Sequence, residues 1–290
     1  MTDPALSFGS VAASYDRGRP GYPREAVEWL VGTSPVSVLE LGAGTGKLTS
    51  TLVELGHDVF ATDPDDKMLD ILSAKLPDVR ATVGTAEQIP APDGAFDVVV
   101  AAQAYHWFDA EKALMEISRV LKPRGVLALV WNARDERIPW VRKLGTLIGN
   151  RATAEDPIRA IDDSALFSAV DTADFRHWQN IDRASIQDLV LSRSNLAVLG
   201  EEERRAKLAE VLAFYDDYGR GMDGMQLPYE AFCYRSAALP QSVSNALSSR
   251  PEPEHAPLRH QITSTDTADR LPRIVTREDD DTGMILINFR

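Results

Sequence analysis

Val38-Leu39-Glu40-Leu41-Gly42-Ala43-Gly44-Thr45-Gly46-Lys47-Leu48-Thr49 is the stretch on which the reading of this chain turns. The run from Val36 to Leu41 is short, apolar and rich in β-branched residues, the pattern of a buried strand. Three glycines at alternate positions follow, and the apolar spacing of Leu48, Leu52 and Leu55 then resumes at helical period. A strand, a tight turn and a helix are expected. Glycine suits such a turn because a Cβ would hinder positive φ and the close approach of backbone to a ligand. The helix in turn presents unpaired N–H groups to whatever occupies the bend.

A dinucleotide fingerprint needs G-x-G-x-x-G, and counted from Gly42 and Gly44 its third glycine would stand at Lys47. Here it is Gly46. The spacing E-x-G-x-G-x-G, Glu40 to Gly46, resembles instead the first motif of class I S-adenosylmethionine-dependent methyltransferases, the type 11 domain among them. That resemblance implies that Gly42, Gly44 and Gly46, with Glu40 and Ala43, admit the aminoacyl end of S-adenosyl-L-methionine, and that a second acid, one strand on, holds the ribose. His57 to Thr62 reads as that strand. It ends in Asp63, about 20 residues after the turn, as a ribose-binding acid requires. Asp63 also reads as a simple helix cap.

Upstream lies Tyr15-Asp16-Arg17-Gly18-Arg19-Pro20-Gly21-Tyr22-Pro23, in which two prolines and two glycines argue against a continuous helix. A linker is the plain reading. The pattern Tyr-Asp-x-x-Arg-Pro-x-Tyr-Pro also resembles the N-terminal segment of a methyltransferase subgroup that includes trans-aconitate methyltransferase-like enzymes. The resemblance implies a segment folded over the cofactor, with Tyr15 and Arg19 as candidates for its carboxylate end and Tyr22 for the substrate pocket. Arg24 to Val31 reads as a helix.

Downstream, Pro64 opens a second helix on which Met68, Leu69 and Leu72 keep apolar spacing. Met68 is a core residue by default and an adenine contact by resemblance. Val79 to Val83 reads as a third strand, followed by Gly84-Thr85-Ala86-Glu87. Related enzymes carry an Asp at the position of Thr85 to hold the adenine amino group. The departure leaves that contact to Thr85, to backbone at Ala86 or to Glu87, and Glu87 reads equally as a turn cap. Phe96 to Ala101 is apolar and β-branched apart from Asp97, as a central parallel strand is. It runs into Gln103-Ala104-Tyr105-His106-Trp107-Phe108-Asp109, which closely resembles the subgroup's Gln-Ala-x-His-Trp-Phe-Asp.

Ligands of open parallel sheets gather at the carboxyl ends of the strands. By that rule and the resemblance, Gln103 joins the cofactor residues, and Tyr105, His106, Trp107 and Trp131 line the substrate pocket. His106 is the candidate base because its ordinary pKa lies near neutral; the other reading has it hydrogen-bonded within the aromatic cluster. A base is needed only for a phenol, hydroxyl or carbon-acid acceptor, since a carboxylate is already a nucleophile.

A helix from Ala110 to Leu121 and a turn at Lys122-Pro123-Arg124-Gly125 lead into a strand from Val126 to Trp131. Repeated βαβ units predict a doubly wound, Rossmann-like α/β fold, and the resemblance extends it to seven mostly parallel strands, closed by Phe175 to Ile181 and Pro228 to Arg235. Helices between residues 136 and 220, including Ile138 to Ile148, Ile186 to Leu191 and Glu201 to Tyr218, then roof the substrate pocket, where Arg193 can pair with a carboxylate. The methyltransferase domain is thus read as residues 1–235. Residues 236–290, rich in proline and hydroxyl side chains with one aromatic, Phe289, read as a largely disordered extension.

A net charge of −13 over 290 residues argues against a broad phosphate-binding face and so against a nucleic-acid substrate. One cysteine, Cys233, excludes a disulfide framework, and His57, His177, His255 and His260 show no metal-ligand spacing. With no membrane-length apolar stretch and no signal-peptide pattern, a cytoplasmic monomer or homodimer acting on a small molecule is expected. The expected function is methyl transfer from S-adenosyl-L-methionine. The alternatives are a regulatory protein that binds the cofactor without transfer and, disfavoured by Lys47, a nicotinamide oxidoreductase.

Overall fold

The computed structural model describes residues 12–149, 157–193, 200–218 and 224–240. Seven strands form one sheet: β1 Ser37–Leu41, β2 Asp58–Asp63, β3 Arg80–Val83, β4 Phe96–Ala102, β5 Leu121–Arg134, β6 Asp171–Ile181 and β7 Met225–Ala237. Their order is β3-β2-β1-β4-β5-β7-β6. The pairs among β1 to β5 are parallel, while β7 runs antiparallel to both of its neighbours. This is the doubly wound, mostly parallel sheet that the sequence predicts.

The alternation of each strand decides which helices cover it. Val38, Val98, Val100, Ala128 and Val130 face α2 (Arg24–Val31) and α3 (Lys47–Glu54), meeting Ala26, Val27, Leu30, Leu48 and Leu52. Leu39, Leu41, Val99, Ala101, Leu127 and Leu129 point the other way, onto Ala113, Leu114 and Ile117 of α5 (Ala110–Val120). Strands buried on both faces have no polar side, which is why β4 is apolar from Val98 to Ala102. A fourth helix, α4 (Asp66–Lys75), sets Leu69 and Leu72 against Ala43 and Ala61. The strand order reverses between β1 and β4, so the ligand crevice of this topology opens at their carboxyl ends.

A separate apolar cluster forms the roof. It unites α6 (Pro139–Ile148), α8 (Ser185–Leu191) and α9 (Glu201–Tyr218) through Leu144, Ile148, Ile186, Leu189, Val211 and Phe214, and rests on Leu227 and Tyr229 of β7. The short α7 (Pro157–Asp163) packs instead with the α5 side through Ile161.

Three local departures from the sequence reading have physical causes. Residues Ala12–Gly18 form a helix, α1. Pro20, Gly21 and Pro23 lie beyond its end, and Gly18 is its last residue, where a glycine interrupts no further turn. Lys122 to Gly125 does not precede β5 but lies within it: Leu121 already pairs with Phe96, and Val126 with Val98. The four residues between bulge out, with Arg124 at φ +63°. Finally, the domain does not stop at residue 235. β7 reaches Ala237, and the Leu239 N–H donates to Leu166 O at 2.9 Å. Residues 241–290, most of the expected extension, lie outside the described residues. Among the described residues no helix is long and apolar enough to cross a membrane.

Candidate active site

β1 delivers its last residues into a bend whose three glycines all have positive φ: +67° at Gly42, +56° at Gly44 and +80° at Gly46. Gly42 is pressed against the segment after β4; a Cβ there would stand 2.5 Å from Ala104 Cβ. At Gly44 the same direction meets nothing within 4 Å. The bend is therefore packed on its β4 side and open where a ligand would lie. The Ala43 N–H donates to Thr62 O at 2.9 Å, which ties the bend to β2.

Asp63, the last residue of β2, is turned into that bend. One carboxylate oxygen accepts the Gly44 N–H at 2.8 Å, the other the Asp65 N–H at 2.9 Å. Each oxygen has a second lone pair, so the group can still accept two ligand hydroxyls. Burial raises the Asp63 pKa, against the pull of the two donated N–H bonds. An open glycine cradle beside a carboxylate with spare lone pairs fits an aminoacyl nucleoside with a vicinal diol, the group the sequence leads one to expect here. Were the aminoacyl and nucleoside parts joined through a methylsulfonium, the group would supply an electrophilic methyl.

Glu40 lies beneath the bend, 1 % exposed, and accepts from the Thr49 hydroxyl at 2.6 Å. Burial, opposed by that bond and reinforced by the Asp63 charge, pushes its pKa up to about 8. Unfolded, Glu40 ionises near 4.5; folded, it keeps its proton until about pH 8. Its contribution to stability is thus full below about 4.5 and is lost as pH rises through about 8, at up to about 1.4 kcal/mol per unit. The ligand-free chain should unfold at lower urea as pH rises from about 6 to 8, and a Glu40→Gln chain should show a flatter profile. Equal slopes for the two chains would remove Glu40 from this account.

The other cofactor candidates are less concentrated. Met68 is buried in α4. Thr85 is exposed and bridges to Gln88, Ala86 is buried, and the Glu87 carboxylate accepts the Asp109 N–H at 2.9 Å, joining the loop after β3 to the start of α5. Gln103 takes φ +57° and donates from Nε2 to Asn132 O at 2.8 Å, so its side chain links the ends of β4 and β5.

Past β4, a 3-10 turn at Tyr105–Trp107 carries the aromatic run. Tyr105 packs edge-on to Phe108 and Trp131, at 5.7 and 6.4 Å between ring centroids. Burial pushes its phenol up to about 12, and neither that hydroxyl nor Trp131 Nε1 has a hydrogen-bond partner among the described residues. His106 is half-buried with its ring 4.8 Å from that of Trp107, which turns outward and is 40 % exposed. Among the described residues no group of three or more His, Cys, Asp or Glu could hold a metal ion.

The N-terminal segment is fastened to the roof. Arg17 holds Asp188 of α8 with two bonds of 2.8 Å, and Arg19 donates to Ser192 Oγ and O at 3.0 and 3.2 Å while lying over the Tyr15 ring. Tyr22 packs against the apolar cluster beneath α2. Arg193, beside Ser192, is buried. Thus Arg19 and Arg193, given separate roles by the sequence, meet at one place. Sequence reasoning missed their neighbours Asn132, Arg134, His177 and Tyr229. The one available signal was position, since Asn132 and Arg134 follow Trp131 at the carboxyl end of β5.

Comparison with known proteins adds the following. A family model described as a methyltransferase domain matches residues 39–129. An uncharacterized methyltransferase of Mycobacterium tuberculosis strain H37Rv is 45 % identical over 241 residues, which cover 81 % of this chain and 96 % of that one. A second, from Schizosaccharomyces pombe, is 36 % identical over 220 residues, covering 71 % and 87 %. Among solved structures, a candidate type II methyltransferase from Anaeromyxobacter dehalogenans is similar at a TM-score of 0.56, covering 77 % of this chain and 99 % of that chain at 24 % identity. That last likeness bears on fold.

Proposed function

Because the chain belongs to the methyltransferase family, we propose that it transfers the methyl group of S-adenosyl-L-methionine to a small-molecule acceptor by direct displacement. The observation that carries this reading is the Asp63 carboxylate hooked onto the Gly44 N–H beside an open glycine bend. In the bend of Gly42, Gly44 and Gly46, the open side at Gly44 leaves room for the aminoacyl end of the cofactor, while Gly42 and Gly46 let the bend pack on Ala104 and Leu72, and Asp63 accepts from the ribose. Tyr105 and Trp131 wall the acceptor side and help to keep water from it. Because the sulfonium already activates the methyl group, alignment of donor and acceptor in a dry site is the protein's main contribution.

When the acceptor is a hydroxyl or phenol, a proton must leave it. Tyr105 is unsuited to take that proton, being held as a neutral phenol up to about pH 12. His106 is the candidate base within the same turn. A carboxylate acceptor would need neither.

Calorimetric titration of the full chain with S-adenosylmethionine and S-adenosylhomocysteine tests the cofactor assignment: both should bind, and NAD should not. No heat with either ligand at about millimolar concentration would end it. Methyl release across an acceptor panel then separates a transferase from a cofactor-binding regulator, which would bind and never turn over.

A further inference from the structure

Arg134, Tyr229 and His177 form a row across three strands. Arg134 of β5 is the register partner of Tyr229 on β7, and Tyr229 is the partner of His177 on β6. Directly opposed residues of antiparallel strands share a face, so the three side chains stand together although the chain separates them widely. The His177 and Tyr229 rings stack at 5.5 Å, and His177 Nε2 bonds to Asn132 Oδ1 at 2.9 Å. From above, the N-terminal segment closes on this row: Asn132 Nδ2 donates to Gly21 O, and Gln179 Nε2 to Gly18 O. Arg19 arrives with it, and Arg193 comes from the end of α8; both act on the Tyr229 phenol.

Positive charge predominates around the Tyr229 phenol. The charges acting on the buried Tyr229 phenol are those of Arg134, Arg19 and Arg193; they draw its pKa down, burial raises it, and the balance is upward. Tyr229 therefore remains an O–H donor at neutral pH. Arg134 has a side chain only 10 % exposed; its Nη2 reaches Glu136 at 3.1 Å, but its buried Nε has no hydrogen-bond partner among the described residues. Arg19 donates to the hydroxyl and carbonyl of Ser192. Gathering guanidinium groups away from water is costly unless an anion joins them, and their planar forks match the oxygens of a carboxylate or phosphate. In a chain with a net charge of −13, three arginines acting on one buried phenol, with the Glu136 carboxylate bonded to Arg134, stand out.

Two ligands could bring the anion: the cofactor, through its own carboxylate, or the acceptor. Position favours the acceptor. β5 is the second strand from β1 and β7 the third, and at about 4.8 Å per strand the row begins about 10 Å to the side of the glycine bend. Resting on the methyltransferase reading above, we propose that Arg134, Arg19 and Arg193, with the Tyr229 hydroxyl, form an oxyanion subsite that binds a carboxylate or phosphate group of the methyl acceptor.

The test titrates the full chain, with and without saturating S-adenosylhomocysteine, with succinate, inorganic phosphate and neutral succinamide. Succinate or phosphate should bind the native chain and succinamide should not. Arg134→Gln should weaken that binding at least about tenfold, Arg134→Lys less, and the exposed Arg137→Gln not at all, with S-adenosylhomocysteine affinity within about twofold throughout. Oxyanions that fail to bind the native chain in either condition, or that bind Arg134→Gln as well as native, overturn the proposal. So does an Arg134→Gln chain that loses S-adenosylhomocysteine about tenfold yet keeps methylthioadenosine, which lacks the carboxylate, for then the cluster serves the cofactor. Native chain that takes up oxyanion but no S-adenosylhomocysteine would support the subsite while removing the cofactor reading. Should Arg134→Gln fail to fold, the native titrations and Arg134→Lys still decide.

Discussion

Asp63→Ala should bind S-adenosylhomocysteine at least about a hundredfold more weakly than the native chain. Two losses combine. The ribose hydroxyls lose a charged acceptor, at about 1.5–3 kcal/mol per bond, and the Gly44 and Asp65 N–H groups lose the partner that fixes the bend. Two such bonds correspond to a factor of about 10² to 10⁴ in affinity. Ligand chemistry separates the causes. An analogue lacking the ribose 2′-hydroxyl should bind the native chain weakly and lose less than the parent ligand on Asp63→Ala, because part of the interaction is already gone. If native and Asp63→Ala chains bound S-adenosylhomocysteine alike, the ribose role and the site built on it would be wrong.

The second large effect is on stability. Gly42→Ala places a methyl group 2.5 Å from Ala104 Cβ on a backbone held at φ +67°. Positive φ costs a non-glycine residue about 1–2 kcal/mol, and overpacking a rigid contact adds about 1–3. The sum, about 2–5 kcal/mol, is a large share of the stability of a domain this size, and a melting temperature lower by roughly 5–15 °C is expected. Ala104→Gly in the same chain should recover the overpacking part and leave the conformational part. A Gly42→Ala melting curve that overlays the native one would mean that the bend is slack, with no fixed cradle for a ligand.

The parallel half of the sheet was legible because its causes are local. Strands such as Phe96–Ala102 are apolar on both faces, and the glycine bend declares itself where the period changes. Phe175 to Ile181 and Pro228 to Arg235 read as strands from their residues, and resemblance made them the closing strands of the sheet; the first residues of β6, Asp171 to Asp174, were missed, because an edge strand open to water carries little apolar signal. The helix Ala12–Gly18 was hidden by breakers that stand just beyond it, and its anchorage depends on Asp188, a distant residue. Of the candidate site, the glycine turn was read from spacing, and the roles of Glu40 and Asp63 from the resemblance that this spacing carries. The row of Arg134, Tyr229 and His177 was not, since only the register of three strands brings it together.

That register also governs how the protein can be made. The strand at Met225–Ala237 is the last of the sheet to leave the ribosome, yet it lies between two strands completed long before. Until it emerges, the nascent chain carries the glycine bend with two unsatisfied strand edges beside it, open to mispairing. A message truncated before Met225 would thus yield a product with the elements of the glycine bend but without Tyr229, and with β5 and β6 left unjoined.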